Sequence, residues 1–125
     1  IINLNELKHE MRSRNKNFLP IGRKLIKKMD IDNLIITMGR AGAALLNKSR
    51  SSYSVAPSFA RDIVDKVGAG DCLFALLSLF LSTKINSEVS LFLASIAAGK
   101  NVEIVGNSNY LDRVEFLKTV DHSLK

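Results

Sequence analysis

Positions 68 to 70 hold a Gly-Ala-Gly turn that precedes a long apolar segment, Cys72 to Leu81. Glycines on both sides of a small residue let the backbone turn sharply, so that successive N–H groups point toward one spot. The apolar segment predicts a buried helix, and the free N–H groups and dipole at its start favour an anion. Gly68, Ala69 and Gly70 therefore predict an anion hole at the start of a central helix.

Asp71 follows this turn directly. A carboxylate beside an anion site repels a phosphate unless it faces the other reactant and accepts a proton from an attacking hydroxyl. Phosphoryl transfer suits such a place, because charge on the moving group must be held by donors that are already in position. The turn and its aspartate predict transfer of a phosphoryl group to a hydroxyl.

Two other glycine-containing phosphate motifs do not fit the sequence. A dinucleotide fingerprint beginning at Gly68 requires a third glycine where the chain has Leu73. A P-loop ending at Gly99-Lys100 requires a glycine at position 94 and a serine or threonine at position 101. The chain has Ala94 and Asn101 there.

The rest of the pattern predicts a layered α/β arrangement. Apolar runs between turns predict strands at Asn33–Met38, Ala43–Leu46, Tyr53–Ala56 and Ile63–Val64. Helical periodicity predicts helices at Asn5–Asn15, Ile21–Met29, Ser87–Asn101 and Tyr110–Val120. Pro20 suits the first position of its helix, and Ser87 is the predicted N-cap of the next one. Strands that precede a buried helix and then further helices indicate a sheet covered by helices.

Four motifs resemble those of the ribokinase/PfkB carbohydrate kinases. Residues 65–71, Asp-Lys-Val-Gly-Ala-Gly-Asp, resemble that family's Asp-Thr-x-Gly-Ala-Gly-Asp motif. Asn3 and Glu6 match its Asn-x-x-Glu motif, and residues 37–42 resemble its Thr-x-Gly-x-x-Gly nucleotide loop. Residues 97–106 resemble the late helix and loop that wall the adenine. The four features occur in family order over nearly the whole chain.

The resemblance implies the C-terminal portion of a ribokinase-like three-layer α/β/α sandwich. Residues 1–125 would be the nucleotide-binding part of a PfkB-type kinase domain, without the N-terminal half that supplies the sugar-binding contacts and the lid. The intact parent protein would then phosphorylate a sugar or sugar-phosphate hydroxyl with ATP, and we expect the isolated chain to be inactive. Residues 94–102 are similar to heptose-phosphate kinase domains, some of which are fused to nucleotidyltransferases.

The resemblance also implies a role for each motif residue. Asp71 would be the general base, beside the anion hole formed by Gly68, Ala69 and Gly70. Asn3 and Glu6 would hold Mg²⁺ through water. The nucleotide would contact Thr37, Gly39, Gly42, Ala98, Gly106 and Asn107. Ala94 and the segment Ile104 to Asn107 would complete the wall around adenine, so that the implied cofactors are ATP and Mg²⁺.

One position departs from the family pattern. Lys66 stands where the family has threonine, and Val67 replaces a hydroxyl residue that many members carry next. A monovalent-cation site near Asp65 that depends on that hydroxyl would lack it in this chain. The side chain of Lys66 either reaches a phosphate or points into solvent.

The same residues also allow structural interpretations. Asn3 and Glu6 have the spacing of a helix capping box. Thr37 to Gly42 has the composition of a hairpin-like turn between strands. Cys72 is expected to be a small core residue rather than a reactive thiol. His9 and His122 have no ligand-spaced partners, so surface positions are expected for both.

Composition limits the class of protein. The 125 residues suffice for one domain, 46% of them are hydrophobic, and the longest apolar run is too short to cross a bilayer. The single cysteine excludes an intrachain disulfide and fits the cytoplasm. The first residue is Ile1, and we interpret the chain as a fragment of a longer protein. The apolar face meant for the missing half would make the fragment self-associate.

The chain carries a net charge of +6, which favours anionic partners. Eight basic residues cluster near the N-terminus: Lys8, Arg12, Arg14, Lys16, Arg23, Lys24, Lys27 and Lys28. Solvated helix faces explain this cluster, and a nucleic-acid-binding domain is the rival interpretation, which lacks interleaved aromatics. A second rival is a nucleotide-binding or regulatory module that kept the fold and lost the reaction.

Overall fold

The computed structural model describes residues 1–60, 68–103 and 111–125. The strands in these ranges are β1 (Ile2–Asn3), β2 (Asn33–Thr37), β3 (Ala43–Asn47) and β4 (Tyr53–Ala56). The helices are α1 (Leu4–Glu10), α2 (Phe18–Met29), α3 (Ala69–Ser82), α4 (Ser87–Val102) and α5 (Arg113–Ser123). A short 3₁₀ turn, Gly39–Ala41, joins β2 to β3. The strand predicted at Ile63–Val64 lies outside the described residues.

The four strands form one mixed sheet in the order β1-β2-β3-β4. β1 pairs with β2 in parallel, whereas β2 with β3 and β3 with β4 are antiparallel. β1, β2 and β4 therefore run in the same direction, and their carboxyl ends lie on one edge of the sheet. The sequence did not predict β1, because two residues are too few to show a strand pattern.

Helices cover both faces of the sheet. Along β2, Leu34 and Ile36 join a buried cluster with side chains of α1 and α2, including the fully buried Leu7. Ile35, which points to the other face, joins a second cluster with α3 and α4, including Leu77. Neighbouring residues of a strand point to opposite faces, so this division follows from the pleat. The predicted three-layer α/β/α arrangement is confirmed.

Close contact between α2 and the sheet requires a glycine. A Cβ atom on Gly22 would lie 2.8 Å from a methyl carbon of Leu46 and 3.0 Å from one of Ile36. The helix can lie this near the strands because no side chain separates them at that point.

Several predicted boundaries are wrong by a few residues. β2 ends at Thr37 rather than Met38, because the N–H of Met38 donates to the carbonyl of Gly42 and closes the following loop. α2 begins at Phe18, with Asn17 as its N-cap, so Pro20 is the third helical residue. Asn86 caps α4 in place of Ser87, accepting from Glu88. β3 extends one residue further than predicted, to Asn47. Other differences are at the ends of helices: α1 spans Leu4–Glu10, α4 ends at Val102 and α5 spans Arg113–Ser123.

The sequence predicted that α3 is buried on every side, and this prediction is wrong. Leu73 and Leu77 are buried, whereas Phe74 is 49% exposed and Leu79 is 56% exposed. An apolar helix has no polar side to turn outward, so whichever face the sheet leaves uncovered remains apolar. We refer to Phe74, Ala75 and Leu79 as the open face of α3.

None of the helices in the described ranges combines the length and the hydropathy that crossing a bilayer requires.

Candidate active site

Four residues form a row across the sheet at the carboxyl ends of β1, β2 and β4. The register pairs Asn3 with Thr37, Thr37 with Ala43, and Ala43 with Ala56. With about 4.8 Å between neighbouring strands, the row is about 14 Å long. In open α/β sheets, ligands bind outside the carboxyl ends of strands. We call this side of the sheet the carboxyl edge.

Asn3 and Glu6 lie at the start of α1 on this edge and form a capping box. The side-chain oxygen of Asn3 accepts from the N–H of Glu6 at 2.9 Å, and Glu6 Oε2 accepts from the N–H of Asn3 at 3.0 Å. Both residues are exposed. The structural interpretation of this motif is therefore confirmed. The cap uses one of the two carboxylate oxygens of Glu6, so it leaves the other available to a hydrated cation.

Residues 38–42 form a closed loop immediately after Thr37. The N–H of Met38 donates to Gly42 O at 2.8 Å, that of Ala41 to Met38 O at 3.2 Å, and that of Gly42 to Gly39 O at 3.0 Å. Gly39 has φ +59° with open space around its Cβ position. The loop joins two antiparallel strands, as the hairpin interpretation predicts, and it brings Thr37, Gly39 and Gly42 together at the carboxyl edge.

Residues 56–60, which follow β4, fit between Gly42 and α4. A Cβ atom on Gly42 would lie 2.0 Å from the carbonyl oxygen of Ala56. A Cβ atom on Gly99 would lie 2.9 Å from the backbone nitrogen of Ala60. The ring of Phe59 meets that of Phe92 edge-on, with centroids 5.3 Å apart. Sequence reasoning missed this packing, for which Gly99 gave the only local signal.

The backbone enters α3 at Gly68, the N-cap, in a left-handed conformation with φ 85° and ψ −13°. Its carbonyl accepts the first helical hydrogen bond, from the N–H of Cys72 at 2.9 Å. Among the described residues, no side chain caps this end of the helix and no atom lies within 4 Å of the Cβ position of Gly70. The first N–H groups of a helix have no partner within it, so the start of α3 presents donors that no described side chain uses.

Asp71 lies in the first turn of α3 and is exposed. Within the part of the chain that the structure describes, its carboxylate makes no hydrogen bond and no ion pair. An unpaired carboxylate can accept a proton or orient a hydroxyl, which a carboxylate held by a lysine would do less readily.

α3 packs on the same side of the sheet as α4. Leu73, one turn into α3, belongs to the buried cluster that contains Ala43 and Ala56 of the edge row, together with Ile35 farther along β2. That the Gly68-to-Asp71 turn lies beside the nucleotide loop remains a prediction.

The predicted adenine wall is described only in part. Ala94 is fully buried and Ala98 is partly buried against the cluster that contains Ala94. Ile104, Gly106 and Asn107 lie outside the described residues, as do Asp65, Lys66 and Val67, which precede the Gly-Ala-Gly turn. The contributions of these residues remain predictions.

A cleft of about 250 Å³ separates α4 from α5. Its walls include Phe59, Ile96 and Lys118. Lys100 crosses it, pairing with Glu115 at 3.0 Å and with Glu103 at 3.7 Å. Among the described residues, none of the predicted site residues lines this cleft, which meets the segment after β4 at Phe59.

Cys72, His9 and His122, which are expected to have no chemical role, lie in positions that agree with this expectation. Cys72 is half-buried, and burial raises the pKa of its thiol, which lowers the fraction of reactive thiolate. His9 and His122 are exposed. In the described ranges, no three His, Cys, Asp or Glu side chains are grouped closely enough to hold a metal ion by themselves.

A mixed sheet between two helical layers, with this strand order, defines a ribokinase-like α/β protein. Superposition on ribokinase of Arabidopsis thaliana, solved with ribose and ATP, covers 95% of this chain with a TM-score of 0.80 and 24% identity. Phosphofructokinase-2 of Escherichia coli, solved with potassium, covers 98% with a TM-score of 0.80 and 13% identity. At these identities the likeness shows the fold.

Sequence comparison shows the family. The profile of the pfkB family carbohydrate kinases matches residues 1–112, and the chain belongs to this family. A bifunctional protein HldE of Haemophilus influenzae is 33% identical over 87 residues, which is 70% of this chain. The HldE protein of Citrifermentans bemidjiense is 31% identical over 101 residues, or 81% of the chain. The resemblance inferred from the four motifs is confirmed.

The chain is much shorter than these relatives. It spans 18% to 20% of the two HldE proteins and 40% of each of the two solved kinases.

Proposed function

We propose that the protein containing this chain transfers the terminal phosphoryl group of ATP to a hydroxyl of a sugar or sugar phosphate. The observation that carries the proposal is the start of α3, where, among the described residues, no side chain caps the N–H groups and none pairs with the carboxylate of Asp71. Such an end can hold the phosphoryl group, while the carboxylate orients the attacking hydroxyl. Membership of the carbohydrate kinase family supports the reaction class.

In this proposal the moving group is stabilised by the N–H groups at Gly68, Ala69 and Gly70. These donors are fixed by the helix, so they need no reorganisation when charge develops on the phosphoryl oxygens. Asp71 accepts the proton of the sugar hydroxyl. A carboxylate in the first turn of a helix is stabilised in its charged form, so alignment contributes to its effect together with proton removal.

The nucleotide would lie along the carboxyl edge. Thr37 and Gly39 border the loop at which the phosphates and ribose approach, and Gly42 gives that loop its shape. Ala98 would contact the adenine, together with Gly106 and Asn107. ATP is supported by a relative of the same fold, the Arabidopsis ribokinase, which was solved with ATP.

Mg²⁺ would be held near Asn3 and Glu6 through its water shell, because Mg²⁺ loses water reluctantly and takes few carboxylates directly. The free oxygen of Glu6 supplies the negative charge. When bound, the ion would neutralise charge on the nucleotide phosphates.

The substitution Glu6→Gln distinguishes the capping role of this side chain from its proposed role in holding Mg²⁺. Glutamine preserves a side-chain oxygen for the N–H of Asn3, so stability should fall by no more than the loss of one first-turn charge costs, about 0.3–1 kcal/mol. The charge is lost, so the Mg²⁺ concentration for half-maximal activity should rise about 10- to 100-fold. Glu88→Gln, at another exposed first-turn glutamate, is the control. A Mg²⁺ dependence equal to that of the control would contradict the metal role.

A turnover assay of the full-length protein with ATP and a panel of sugars and sugar phosphates tests the proposal. Phosphorylation of at least one of them is expected. Calorimetry with ATP and Mg²⁺ distinguishes the alternative, a non-catalytic nucleotide-binding module, which would bind ATP and phosphorylate none of the panel. A cytoplasmic location is the corresponding expectation, because ATP is the phosphoryl donor.

The basic stretch near the N-terminus supports the helix-face interpretation over nucleic-acid binding. The Arg23 guanidinium donates to the carbonyls of Asn47, Ser51 and Ser52 and holds the β3–β4 turn. Lys28 pairs with Glu10 at 2.7 Å. Two of the eight cations are thus used in internal contacts.

The open face of α3 supports self-association of the isolated 125-residue chain. Changing Phe74 and Leu79 together to glutamine should lower the weight-average mass in sedimentation experiments, because apolar surface drives the contact. Val114→Gln on α5, at an apolar residue that is 59% exposed, is the control. An unchanged mass in the α3 variant would show that this face is not the contact.

A further inference from the structure

The charges at the carboxyl edge are unequal. Its described segments are residues 3–6, 37–42 and 56–60, and the proposed function adds residues 68–71. Together they contain two carboxylates, Glu6 and Asp71, and a single lysine or arginine, Arg40. ATP brings several further negative charges. Among the described residues of the edge, one positively charged side chain therefore faces the negative charges of both carboxylates and of ATP.

Arg40 is free to take up such a ligand. It lies in the 3₁₀ turn Gly39–Ala41, is exposed, and makes no hydrogen bond or ion pair with any described residue. Other basic side chains, such as Arg23 and Lys28, are held by internal partners. The three backbone hydrogen bonds that close the 38–42 loop fix the Cα position of Arg40, so that its side chain extends from a rigid base.

We propose that Arg40 binds the phosphate chain of the nucleotide, and this proposal rests on the proposed function. A guanidinium is always charged and presents paired N–H donors that match two phosphate oxygens. It offsets the repulsion that Glu6 and Asp71 exert on the incoming nucleotide. The loop glycines let the phosphates approach, and Arg40 supplies the charge that glycines lack.

Equilibrium binding of ATP and of adenosine to the full-length protein tests the proposal. Arg40→Ala should weaken ATP about 10- to 100-fold, the value of a charged hydrogen-bond pair. Its affinity for adenosine, which has no phosphate, should be unchanged. Arg40→Lys should give an intermediate loss for ATP, because it keeps the charge but not the paired donors.

Arg50→Ala is the matched control. Arg50 is exposed on the β3–β4 turn, at the other end of the strands, and its removal changes the net charge by the same amount. The difference between the two variants should shrink in high salt, where exposed charges are screened.

Three results would overturn the assignment. ATP affinity of Arg40→Ala equal to that of Arg50→Ala would show that Arg40 makes no phosphate contact, while leaving the kinase proposal in place. Equal losses for ATP and adenosine would show that Arg40 acts on the base or on the shape of the loop. Absence of ATP binding by the unmodified protein would refute the proposed function itself, and the Arg40 assignment with it.

Discussion

Replacing Asp71 with asparagine is expected to lower kcat of the full-length protein by about 10²- to 10⁴-fold, the contribution typical of a positioned general base. Asparagine preserves the shape of the side chain and can still orient a hydroxyl. It cannot accept the proton, so the loss should appear in kcat, with KM for ATP nearly unchanged.

The fold should tolerate this change. Asp71 is exposed and makes no hydrogen bond or ion pair within the described part of the chain, so its neutralisation leaves no buried partner without a bond. The helix loses a negative charge in its first turn, which costs about 0.3–1 kcal/mol. A near-native unfolding curve for the variant would therefore assign the loss of activity to chemistry.

Asp32→Asn is the matched control for this experiment. Asp32 is an exposed aspartate just before β2, at the opposite end of the strands from the carboxyl edge. Turnover should be unaffected by its neutralisation. If Asp71→Asn also turned over at a near-native rate, the kinase mechanism proposed for this chain would be wrong.

The strands could be predicted from the sequence because their signal is local. An apolar run such as residues 33–37 must be covered on both faces, and the glycines and polar residues that follow mark its end. β1 could not be predicted in this way. Its two residues are a strand only because they pair with Ile36 and Thr37, which are distant in sequence.

The exposed side of α3 could not be predicted because a helix that is apolar all round carries no sign of which face the sheet will cover. Leu73 and Leu77 turn inward and Leu79 turns outward, although all three are leucines. The packing of α3 against α4 and the sheet decides between them. The candidate site residues were easier to single out, since the Gly-Ala-Gly turn and the loop glycines have backbone requirements that are visible in the residue types.

Asn3 and Glu6 show that one motif can satisfy two interpretations. The capping box is present in the structure, and it is what the residue spacing alone predicts. The metal role came from the family resemblance and needs only the carboxylate oxygen that the cap leaves free. A cap at this place also fixes Glu6 relative to Thr37, because Asn3 and Thr37 are partners in the sheet.

Gly42→Ala is expected to be the most destabilising substitution in the nucleotide loop. Gly42 has φ 89° and ψ −140°, a conformation that is essentially restricted to glycine. Its new Cβ would lie 2.0 Å from the Ala56 carbonyl oxygen and 2.7 Å from the carbonyl carbon of Pro57. Both neighbours are backbone atoms and cannot rotate away, so the loop and the segment after β4 must separate.

The strain at Gly42 and the clash together should lower the free energy of unfolding by about 3–5 kcal/mol. Gly39→Ala tests the same loop without the clash, because the space at its Cβ position is empty and its φ of +59° is the left-handed value that alanine can reach at about 1–2 kcal/mol. Urea unfolding of both variants measures the difference. If the two variants lost equal free energy of unfolding, the clash with the segment after β4 would not be the reason that position 42 requires glycine. Backbone conformation alone would then explain the requirement.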